Sequence, residues 1–205
     1  MVVNAGKDEW SGMLRPGDER DIQVLSYELE KEDVMKFKPV YESLFLFFQE
    51  EGYTHPLSED DKIEDLYWER WTPSGAKEQH LWWRVKRDIN PYIRYFIAVN
   101  FQTLNVTKAE VAYKNKKINA EKIDFIIRVM CTLQWDVNDL FTKSIAGKFK
   151  KAFFNHVYNR EMDIRKDDLK DFGFKIQRFI KSYFEMATDK DHPATFYPPA
   201  GYKET

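Results

Sequence analysis

The spacing of apolar positions changes character near Trp135. Over about 70 residues before it, apolar and polar side chains alternate as they do in strands, and after it apolar residues recur every three or four positions as they do on one stripe of a helix. The strand-like segments are Ile63 to Thr72, Glu78 to Ile89, Tyr92 to Leu104, Ala109 to Tyr113 with Lys117 to Ala120, and Lys122 to Trp135. Turn residues separate them: Pro73, Ser74 and Gly75, then Asn90 and Pro91, then Asn115, all of which suit antiparallel neighbours. In the third segment Ile93, Tyr95, Ile97, Val99, Phe101 and Thr103 share one face. That face is nearly all apolar, so it is expected to meet the helices.

Three helices are expected. The first carries Val34, Phe37, Val40, Tyr41, Leu44, Phe45 and Phe48 on one stripe, with Glu32 and Asp33 in its first turn and Gly52 as its stop. Pro39 lacks a backbone donor, so the start could instead lie near Lys38 with Pro39 in the first turn. Before it, Asp21 to Glu30 alternates imperfectly and reads as a strand leading into that helix. Asp136 and Asn138 are candidate caps of a second helix with its stripe from Val137 to Val157, and Phe172, Ile176, Phe179, Ile180, Tyr183 and Phe184 form the stripe of a third. The charged stretch between them, Tyr158 to Asp171, is either a helical continuation or the bend of a hairpin.

The fold class that follows is α+β: an antiparallel sheet of four to five strands, packed on one face by an N-terminal helix and two C-terminal amphipathic helices. Residues 1–20 read as an extended arm, 21–187 as a single domain, and 188–205, with Pro193, Pro198, Pro199 and Gly201, as an extended tail. The strand with Trp82, Trp83 and Arg84, followed by Asn90, Pro91 and Arg94, and the order of elements resemble domains of uncharacterised archaeal proteins over about residues 60 to 185. The resemblance includes no functional motif and implies no activity.

Charge changes the picture by its distribution. The net charge is −2, which argues against a uniformly basic nucleic-acid binder. Residues 1–70 hold 8 basic and 18 acidic side chains, the remainder 24 and 16. Such asymmetry favours head-to-tail self-association or an anionic partner for the basic half, unless the two halves neutralise each other within one fold. Cys131 is the only cysteine, so no intrachain disulfide forms, and with no signal peptide visible a reducing, cytoplasmic setting is expected.

Candidate chemistry is sparse. His55, His80, His156 and His192 are scattered, none pairs recognisably with Cys131, and no phosphate-cradling loop is present, so neither catalysis nor a cofactor is expected. Asp163, Asp167 and Asp171 stand four apart without a histidine at ligand spacing, and a solvated face interleaved with lysines explains them better than a metal. Two surfaces remain. Lys143, Lys148, Lys150, Lys151, Lys175, Arg178 and Lys181 lie opposite the apolar stripes of the C-terminal helices, where they would meet a nucleic-acid backbone or an anionic membrane. Trp82 and Trp83 must point to opposite sheet faces, and one of them, with Trp68, Trp71 or Tyr92, would form an aromatic patch suited to base stacking.

The leading functional expectation is a non-enzymatic interaction or structural protein, a subunit of a homo-oligomeric or larger assembly that self-associates through its arm and tail. A nucleic-acid-binding module is the first alternative, and a small-molecule carrier with a cavity between sheet and last helix the second.

Overall fold

The computed structural model describes residues 14–15, 17–57, 63–113, 116–138 and 159–187. Five strands form one antiparallel sheet: β1 (Asp21–Met35), β2 (Glu64–Trp71), β3 (Lys77–Asn90), β4 (Ile93–Tyr113) and β5 (Lys116–Trp135). Helix α1 (Phe37–Glu50) lies between β1 and β2 in the chain, and the long helix α2 (Asn159–Ala187) follows β5. The spatial order β1-β5-β4-β3-β2 brings the first strand beside the last and leaves β1 and β2 at the edges.

The expected inner face of β4 is the core. Ile93, Tyr95, Ile97, Val99, Phe101 and Thr103 are all buried, beside Leu81, Trp83 and Val85 of β3 and Ile123, Phe125, Ile127, Val129 and Leu133 of β5. Helix α1 packs on them through rings: Tyr41 meets Trp83 at 4.6 Å between centroids, and Phe37 lies 6.0 Å from Phe101 and 5.7 Å from Phe125. Helix α2 lies beside it over β1 and β5, and Phe47 stacks on Phe172 and Phe179 where the helices touch. The close approach occurs at Gly173, where an added Cβ would stand 2.5 Å from Leu25 Cδ2 and 3.1 Å from Cys131 Sγ. There the Tyr27 hydroxyl donates to the Gly173 carbonyl at 3.1 Å.

Three expectations need correction. First, β1 runs on to Met35, and Glu32 and Asp33 belong to it rather than to the first turn of α1, which holds no acid. Glu28 and Glu32 stand on its outward face and pair with Arg128 and Lys122 of β5, so alternation with a cross-strand charge match outweighs the helix-start signal. Pro39 sits in the first turn, as its missing donor requires. Second, the separate segments ending at Leu104 and Tyr113 are one strand, bent by an irregularity between Leu104 and Thr107 where Asn105 takes φ 52°. Lys117 to Ala120 likewise joins Lys122 to Trp135. Third, the helix count differs: among the described residues there are two helices, and α2 is continuous from Asn159, which makes the charged stretch a helical continuation. The second expected helix lies almost wholly outside the described residues, as do residues 1–13, 188–205 and the turn at Asn115.

Candidate interaction surface

Sheet alternation distributes the aromatic residues of β2 and β3 between two faces. Across the β2–β3 ladder Leu66 is opposite Trp82, Trp68 opposite His80 and Arg70 opposite Glu78, all on the face turned away from the helices, while Tyr67, Glu69 and Trp71 project from the other face. Trp83 is fully buried beneath α1 and is therefore a core residue, not part of any surface. Tyr92 is half-buried against the core at the β3–β4 turn. Trp68 and Trp71 consequently cannot share one patch. Alternation along Glu64–Trp71 already carried that signal.

The outward face is occupied by its own cations. Arg70 lies over the Trp68 ring at 5.5 Å and Arg84 over Trp82 at 5.6 Å, while His80 meets Trp68 edge-on at 5.1 Å. Arg84 is itself buried and donates to Asn100 Oδ1 and to the Trp83 carbonyl, both at 2.8 Å. Burial lowers the pKa of His80. Lys86 and Arg94 both pair with Asp88. Arg87 projects to the other face, over the rings of Tyr53 and Tyr95.

On the inner side of β2 a polar chain that composition alone does not reveal holds the edge in place. The Tyr67 hydroxyl donates to Glu69 Oε2 at 2.6 Å and accepts from Gln79 Nε2 at 3.0 Å, and Lys77 pairs with Glu69 at 2.9 Å. The Tyr67 bond, then Lys77, hold the Glu69 carboxyl below its ordinary range, and burial followed by the Glu69 bond raises the Tyr67 phenol. The rings themselves remain open: Tyr67 is 51% exposed, Trp68 37% and Trp71 66%.

The basic candidates are divided as well. Lys143, Lys148, Lys150 and Lys151 lie outside the described residues. Lys175 pairs with Glu51 and lies over the Phe47 ring, while Arg178 and Lys181 are exposed on α2. Asp163 pairs with Lys166 at 3.0 Å and Arg165 with Glu161 at 2.7 Å, the pattern of a solvated helix face. No group of three or more histidine, cysteine, aspartate or glutamate side chains suited to a metal occurs among the described residues. Cys131 is fully buried, and burial pushes its thiol up to about 12, far from the thiolate a nucleophile needs. Ion pairs that join the acidic front to the basic back, Glu28 to Arg128, Glu32 to Lys122 and Glu51 to Lys175, satisfy part of the charge asymmetry within one fold.

The described end of the arm folds back on its own chain. Arg15 binds Asp21 and the Trp135 carbonyl, and the Trp135 indole donates to the Glu19 carbonyl at 3.2 Å. A solvent-open hollow of about 630 Å³ lies between the start of α1 and the β4–β5 hairpin, lined by Lys36, Lys38 and Lys108 together with Glu110 and Glu121. No helix among the described residues is long and apolar enough to cross a membrane. No protein-family model matches the chain, and no curated protein is similar to it.

Proposed function

We propose that this chain is a non-enzymatic interaction protein, a subunit of a homo-oligomeric or larger assembly, and that it meets its protein partner through the β2 edge. The observation that carries this is the exposure of Tyr67, Trp68 and Trp71 on a strand that, among the described residues, pairs only with β3. Large aromatics at a sheet edge forgo the roughly 1.5 to 3 kcal/mol that burying an apolar side chain of Phe size gives. They are also the residue types that anchor interfaces. An open strand edge adds a row of backbone donors and acceptors to that surface.

The alternatives draw less support. A base stacking on Trp68 or Trp82 would compete with Arg70 or Arg84, and the outward face mixes Glu78 and Asp88 with its cations. A carrier needs room between sheet and last helix, whereas α2 sits on Leu25 and Cys131 without space for one methyl at Gly173.

A photo-crosslinking side chain in place of Trp71, introduced in cells, is expected to give a discrete protein adduct. No adduct would overturn the reading. So would binding of single-stranded DNA, RNA or anionic vesicles tighter than about 1 μM at physiological salt that weakens steeply as salt rises.

A further inference from the structure

We propose that the partner of the β2 edge is β2 of a second copy, paired antiparallel in a single register centred on Trp68. The proposal rests on the interaction reading above and adds to it the identity of the partner and the geometry of the contact.

A two-fold axis perpendicular to the sheet keeps its two faces continuous across such a pair, so residues on the same face must meet. Centred on Trp68, the pairing sets Trp68 against Trp68, Leu66 against Arg70, and Tyr67 against Glu69 of the second copy. The bond that Tyr67 makes to Glu69 within one chain then has a counterpart across the axis. No like charges oppose one another in this register. Sliding by two residues one way sets Asp65 against Glu69 of the second copy, and the other way sets Glu69 against itself; like charges directly opposite destabilise a strand pair. Of the two same-face registers that pair seven residues of β2, those centred on Tyr67 and on Trp68, charge therefore selects the second.

The other edge is closed to the same arrangement. The outward face of β1 carries Glu28, Glu30 and Glu32 at alternate positions, so two copies paired near its centre would oppose acid to acid. Exposure follows the same division. The large apolar side chains at the β2 edge are open, while Leu25, Tyr27 and Leu29 of β1 are half-buried under α2. A single ladder within an eight-residue strand, seven residues of which are paired in this register, is a small contact, below the roughly 1,200 Å² of stable interfaces, so the pair forms in a concentration-dependent way.

Sedimentation of the full chain tests this together with two variants. Wild type is expected to pass from 24.6 kDa to twice that mass as concentration rises to about 100 μM, and Trp68→Glu, which sets two carboxylates face to face, to weaken the pair at least about tenfold. Trp68→Cys gives a readout that does not depend on that variant folding well. On mild oxidation it is expected to form a disulfide-linked dimer, because the two thiols meet at the axis, whereas Arg70→Cys is not, its copies standing about 13 Å apart along the strands. Buried Cys131 does not compete. A wild-type monomer at about 100 μM would overturn self-pairing, while a Trp71 crosslink to a different protein would leave the interaction reading standing. A dimer that survives in Trp68→Glu, or one that the Trp68→Cys thiols fail to link, would overturn the register.

Discussion

Trp83 and Trp71 lie at the two ends of aromatic life in this sheet. Trp83 is fully enclosed by Tyr41, Phe45, Phe48 and Phe101, each within 6.4 Å between ring centroids, while Trp71, one strand away, is 66% exposed. Both belong to strands and both face the helix side. The difference is position. α1 reaches over β3, β4 and β5 and stops short of the far end of β2, so the same side chain is core in one strand and surface in the next. The described aromatic residues of the sheet thus divide between those that hold the fold together and those left exposed at the β2 edge.

The largest effect expected from this comparison comes from truncating the two tryptophans. Trp83→Ala should cost about 3 to 5 kcal/mol, as large core deletions do, and Trp71→Ala should stay within about 0.5 kcal/mol in a dilute monomer. Equilibrium unfolding in urea decides it; equal losses would remove the distinction on which the surface reading stands.

The tightly packed side is sharpened at Gly173. Gly173→Val would force atoms into Leu25 and Cys131 and should cost about 1 to 3 kcal/mol, an overpacking penalty larger than the roughly 1 kcal/mol a helix gains on losing a glycine. An unchanged unfolding midpoint would mean that α2 stands off the sheet.

Alkaline pH tests the same region by charge. Burial raises the Cys131 thiol to about 12 and raises the Tyr27 and Tyr53 phenols, so the folded chain keeps protons that the unfolded chain releases. This stability is fully present below the unfolded thiol pKa of about 8.5 and is lost as pH rises through the folded value. The unfolding midpoint should fall progressively above about pH 9, and Cys131 should react with a thiol reagent at pH 8 only as fast as the chain opens. A flat profile to pH 11, or fast native-state labelling, would contradict the burial.

The smallest effect is on the rim. Glu51→Gln, which breaks the partly exposed pair with Lys175, should cost less than about 1 kcal/mol, and less still at high salt. A larger loss would make this pair, and not the rings of Phe47 and Phe172, the tie between the helices.

Much of this architecture was legible in residues. The apolar face of β4 and the stripe of α2 follow from period alone, because burial acts on every second or every third and fourth side chain. The opposition of Trp82 and Trp83 follows from the same rule. What local pattern hides is non-local. Glu32 and Asp33 look like a helix start until Lys122, distant in sequence, arrives across the ladder beside Glu32. Asn105 looks like a strand end until a bulge lets β4 continue. For the candidate surface, the residue types at Trp68 and Trp71 were visible and alternation already sends them to opposite faces, but that their edge is left uncovered depends on which strands α1 reaches, and no motif encodes that.

Hydrogen exchange of the β2 backbone at two protein concentrations, about 1 and about 100 μM, tests the central claim most directly. The account predicts that those amides of Glu64–Trp71 that do not bond to β3 exchange quickly in the dilute sample and become protected in the concentrated one, while Ile93 to Phe101 stay protected in both. Rapid exchange of these β2 amides at both concentrations, with β4 unchanged, would contradict it.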